Sequence, residues 1–160
     1  MRDKRFVSEH RGGPLKKEQH FQLIKWACDV ASHVLYLFGE PTHPELLNAL
    51  NVANNWTEGK ASVGDARNAS VAAIAVANES PNMTQTLVAR SVGHAVATAH
   101  MADHSIVAAW YALKAVKIAD KSVDNERIWQ NNQLPLKLRS LFYLRRPLKD
   151  LKRCISLQFY

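Results

Sequence analysis

Apolar residues recur at helical spacing along most of the chain. Phe21, Ile24, Cys28, Ala31, Leu35 and Phe38 are separated alternately by three and four positions, which puts them on one stripe of a helix. That helix is predicted from about Leu15 to Phe38, with Gly39 as its stop. Thr42-His43-Pro44 opens a second helix, because proline is accommodated in a first turn whose N–H groups have no intrahelical acceptor. Its face is Leu46, Leu47, Leu50, Ala53 and Trp56, and Gly59 ends it. A third starts at Ser62, with Asp65 three residues on in a capping-box arrangement. The stretch Ala69–Ala77 is apolar almost all round, which predicts a central helix. After the break at Ser80-Pro81-Asn82, a fourth helix runs from Thr84 to about Ala102, with Val88, Val92, Ala95 and Ala99 on one face. A fifth begins near Asp103 as N-cap and carries Ile106, Ala109, Trp110, Leu113 and Val116. Asp124 caps a sixth, predicted through Trp129, and Leu134-Pro135 opens a seventh bearing Leu138, Leu141 and Phe142. No stretch alternates with period two. The short linkers predict sequential antiparallel neighbours. The expected fold is all-α: a single compact bundle, or a short superhelical stack, of about six to seven antiparallel helices.

Composition sharpens this picture. A chain of 160 residues fits one domain of the common size of roughly 100–200 residues. Its 47% hydrophobic residues exclude a disordered chain. All 21 alanines lie between Ala27 and Ala119, so small residues are expected at the helix contacts. The predicted organisation is a flexible basic arm over residues 1–14, ending in Arg11-Gly12-Gly13-Pro14, a helical domain over 15–144, and a basic segment over 145–160 interrupted by Pro147.

The net charge of +7 belongs to the ends. Residues 1–20 carry six basic and three acidic groups, residues 120–160 nine and four, and residues 21–60 two and four. Solvated ends are the favoured reading; contact with nucleic acid or an acidic protein surface is the alternative. Two cysteines, Cys28 and Cys154, make no disulfide framework. The charged N-terminus lacks the apolar run of a signal peptide. No apolar run approaches the roughly 18 residues of a membrane span. The expectation is a cytoplasmic protein without a membrane partner.

The candidate chemistry concentrates in Gly93-His94-Ala95-Val96-Ala97-Thr98-Ala99-His100-Met101-Ala102-Asp103-His104. On a continuous helix His100 and His104 share a face, while His94 lies about 120° away, so the three are not expected to converge. Without a third ligand or the glutamate of an HExxH helix, neither a metal nor another cofactor is expected. Gly93, in mid-helix beside alanines, predicts close approach by a neighbouring helix. Arg67 and Arg90 interrupt apolar helices and are read as internal ion pairs with Asp29 or Asp65, or as arginines snorkelling at a rim; an anion pocket is the functional alternative. No phosphate loop, nucleophile elbow or dinucleotide fingerprint is present. Tyr36, Trp56, Trp110 and Tyr111 are the aromatics suited to anchor an interface, and equally suited to fill a core.

Several of these segments carry a resemblance. Trp26-Ala27-Cys28, Trp56-Thr57-Glu58-Gly59-Lys60, Asp65-Ala66-Arg67, the stretch Ala89 to His100, Ala109-Trp110-Tyr111-Ala112 and Glu126-Arg127-Ile128-Trp129-Gln130 are similar to the bacterial immunity proteins with the Imm-five-like helical domain. The resemblance covers roughly residues 20–141 and is most specific in Gly93–His100. It implies an all-α fold, no catalysis, and a cognate toxin as partner, neutralised by occlusion; it assigns no individual functional residue. Two other function classes stand beside it: a basic helical nucleic-acid-associated protein, and a metal-dependent enzyme using His94, His100 and His104. Helices rich in small residues also pack across dimer axes, which makes a second copy of the chain a further candidate partner.

Overall fold

The computed structural model describes residues 3–143. Seven α-helices follow in order: α1 Lys17–His33, α2 Pro44–Thr57, α3 Val63–Glu79, α4 Met83–Ala97, α5 His104–Ile118, α6 Val123–Gln133 and α7 Leu136–Tyr143. Among the described residues there is no strand, and the all-α expectation holds. The sequence rules for helix starts are visible. Pro44 is the first residue of α2, and Ser62 and Asp65 cap α3 reciprocally. Among the described residues, no helix is long and apolar enough to cross a membrane.

Helix α4 is the central element, packing against α1, α2, α3 and α5. On one side, alanines of α1, α2 and α3 meet Ala95 and Ala99 in a small-residue core. On the other, Phe6, Leu23, Trp26, Leu87, Tyr111 and Leu138 build a core from larger side chains. The alanine-rich α3, expected at the centre, lies at the side, with Val71 exposed. The physical reason is that an exposed alanine leaves little apolar surface in water, so an alanine run cannot distinguish a central helix from a peripheral one.

Three boundaries differ from the sequence pattern. The first helix ends at His33, and Leu35–Phe38 forms a separate 3-10 turn. α6 is capped by Ser122, whose Oγ accepts from the Asn125 N–H at 3.2 Å, and it extends to Gln133. α4 stops at Ala97. There Thr98 donates its backbone N–H to both His94 and Ala95 carbonyls, and its hydroxyl donates to the His94 carbonyl at 3.2 Å. This tightening turns the chain through residues 98–103 into α5.

The described part of the N-terminal arm is packed structure. Phe6 and Leu15 are each 1% exposed, and the backbones of Val7, Ser8 and Glu9 exchange hydrogen bonds with Gly13 and Leu15. A Cβ on Gly13 would collide with the Val7 carbonyl, so this glycine permits a close crossing of two backbone segments. The arm looked flexible because its large apolar residues, Met1, Phe6 and Val7, are too few to show a period. The segment 145–160 lies outside the described residues.

Candidate functional site

The turn after α4 rearranges the histidines. Because the helix ends at Ala97, His94 near the end of α4 faces His104 at the start of α5. Their Nδ1 atoms are 3.0 Å apart. His100, in the turn, packs its ring 5.2 Å from that of His104. The expectation that the three would not converge assumed one continuous helix; the chain reversal instead places His104 between the other two. Tyr111, two turns along α5, stacks on His94 at 5.3 Å. The Arg90 guanidinium lies 5.8 Å from the centre of the Tyr111 ring. The result is a polar and aromatic seam along the α4–α5 contact.

Electrostatics keep two of these histidines neutral. Burial pushes the His94 imidazolium down to about 4, helped by His104 and Arg90. Burial likewise lowers His100, helped by His104, Arg67 and Arg11. Two imidazoles sharing an Nδ1–Nδ1 hydrogen bond hold one proton between them, so a second proton breaks the bond. His100 Nδ1 is buried without a hydrogen-bond partner among the described residues. Among those residues no three histidine, cysteine or carboxylate side chains form a set that could hold a metal ion. The nearby hydroxyls are committed elsewhere: Ser91 donates to the Ala108 carbonyl at 2.9 Å and Ser105 to the Ala102 carbonyl at 2.7 Å. Cys28 is buried, its thiol pushed up to about 12 by burial. These hydroxyls and this thiol are therefore not poised as nucleophiles beside a histidine.

Gly93 fits the close approach read from the sequence. A Cβ there would stand 2.7 Å from Ile74 Cδ1 on α3 and 3.3 Å from the Ser70 carbonyl, and the Ser70 hydroxyl donates to the Gly93 carbonyl at 2.8 Å. Of the two arginine readings, the internal ion pairs need correction. Asp65 caps α3 through Ser62, and neither Arg67 nor Arg90 forms an ion pair among the described residues. Arg67 is exposed, and Arg90 rests on an aromatic face. The local demand of an exposed helix N-terminus for a cap outweighs a more distant cation.

The four aromatics have separate fates. Tyr111 is 3% exposed and belongs to the core, so it is not available to anchor an interface. Trp56 is half-buried, edge-on to His20 and Phe21 at the N-terminal fold-back. Trp110 is half-buried with the Lys114 ammonium 4.2 Å from its ring centre. Tyr36 is 61% exposed and borders an open cleft with Trp129, His33 and Glu126.

Two polar connections had no sequence signal. His20 Nε2 donates to the Thr98 carbonyl at 2.6 Å, which leaves Nδ1 to accept from the Ser8 hydroxyl at 3.2 Å. This relay joins the N-terminal fold-back, α1 and the turn after α4. Glu126, 5% exposed, accepts from His33 Nδ1 and from Gln130 Nε2, each at 2.8 Å. His33 and Glu126 lie 93 positions apart, beyond the reach of periodicity, although the i,i+4 spacing of Glu126 and Gln130 was readable.

The helical order and the central α4 define an all-α protein of the helical-bundle class. Within that class the chain belongs to the family described as Imm-5 like putative immunity protein, whose family model matches residues 13–137. No curated protein and no solved structure matches it.

Proposed function

We propose that this protein is a non-catalytic immunity protein that binds a cognate bacterial toxin domain and neutralises it by occlusion. The observation that carries this reading is family membership over residues 13–137, which include the seam and all but the last helix. The chemistry of the seam is consistent with it. Burial keeps His94 and His100 neutral, His94 bonds directly to His104, and the neighbouring serines serve backbone carbonyls. Inhibition by occlusion asks for a rigid surface and no reacting group. The test is co-expression with a candidate toxin gene. Restored growth together with a stable complex is expected; continued killing without a complex overturns the proposal.

A further inference from the structure

A cleft of about 340 Å³ opens where the end of α1 and its 3-10 turn meet the start of α6. One wall is aromatic: the His33 imidazole lies flat on the Trp129 indole, with ring centres 3.6 Å apart and planes inclined by 6°. Tyr36, three residues after His33, stands exposed at the rim. Glu126 contributes to the lining although its side chain is almost wholly buried. It accepts one hydrogen bond on each oxygen, from His33 and Gln130. A carboxylate has about four acceptor positions, so acceptor capacity remains. The other charged lining group is Lys121, an exposed side chain on a flexible stem that can turn to solvent.

Aromatic faces beside a desolvated carboxylate select one chemistry. A guanidinium is planar, stacks on aromatic rings, is weakly hydrated, and donates to carboxylates with two N–H groups at once. An anion would meet the negative Glu126 and the electron-rich ring faces. We infer that this cleft is an arginine-receiving pocket, filled by a guanidinium projecting from the partner protein. The identity of that partner rests on the immunity reading; the chemistry of the pocket does not. Arginine and tyrosine are also residue types that concentrate binding energy at protein interfaces.

The test uses the full chain and N-acetyl-arginine amide as probe, followed through the Trp129 indole N–H resonance. Saturable shifts are expected with the arginine probe, and none with the matching glutamine or aspartate amides. Tyr36→Ala should weaken binding about threefold, as loss of an exposed cation–π contact does. Glu126→Gln should weaken it about tenfold or more, as loss of a charged acceptor does. Tyr36 is exposed, so its variant keeps the test valid even where Glu126→Gln fails to fold. Equal response to the glutamine amide, stronger response to the aspartate amide, or an unchanged Tyr36→Ala affinity overturns the inference. A chain that protects cells from the toxin yet ignores arginine overturns the pocket alone. One that binds arginine but neither protects nor forms a complex overturns the immunity reading alone.

Discussion

The His94–His104 pair and the His33–Glu126 pair are both short side-chain hydrogen bonds between distant helical positions, at 3.0 and 2.8 Å. Their surroundings are opposite. His94 lies partly buried in the α4–α5 contact with His104 and Arg90 nearby, so that burial and these neighbours together keep it neutral. His33 lies at the surface, supported by an indole and joined to a carboxylate that borders open space. The same side chain therefore serves as a neutral clamp in one place and as part of a recognition surface in the other. What decides is the sign of the nearest charge and access to water, not the histidine itself.

One large effect comes from disturbing the backbone beneath the clamp. Gly93→Leu drives a side chain into Ile74 and the Ser70 carbonyl, and should cost about 3 kcal/mol, at the upper end of ordinary overpacking. Denaturant melts measure it. Stability equal to that of the parent chain would mean that α3 and α4 are not held closely together there.

Acid comes next. His94 is held down to about 4 against its ordinary value of 6.5. A depressed base favours folding fully above the unfolded value, and the contribution is lost as pH falls from about 6.5 towards 4, by up to about 3 kcal/mol. Buried His20 and partly buried His100 shift in the same direction and add to the loss. Urea titrations at successive pH values test this, and His94→Asn should flatten the acid limb. An unaltered limb in that variant would place the acid sensitivity outside His94.

The cleft should respond more gently. Glu126→Gln keeps the shape but removes a buried charge accepting two hydrogen bonds, and should destabilise by about 1–2 kcal/mol. Tyr36→Ala should change stability by less than about 0.5 kcal/mol, as exposed substitutions do, while weakening guanidinium binding. A large loss of stability in Tyr36→Ala would make Tyr36 a structural residue and erase the contrast between the two regions.

Periodicity carried most of the fold. The stripes on α1, α2 and α5 and the caps at Pro44 and Ser62 led directly to the helices observed. Alanine was the weak point, because it is at home in core and solvent alike, and it misplaced α3. The histidine cluster was visible as letters but not as geometry. One early helix end, set by Thr98 bonding back to His94, changed which rings could meet. The cleft was the least legible part. Tyr36 was singled out, but His33, Glu126 and Trp129 come together only through the packing of α6 beside the end of α1, which no local pattern encodes.

The central claim is that this helical chain neutralises a toxin by binding it. Co-expression with a candidate toxin gene, followed by purification of the complex and a growth count, tests this most directly. The account predicts restored growth and a stoichiometric complex, with Tyr36→Ala weakening both. Killing that continues at full rate, with the two proteins eluting separately, would contradict it.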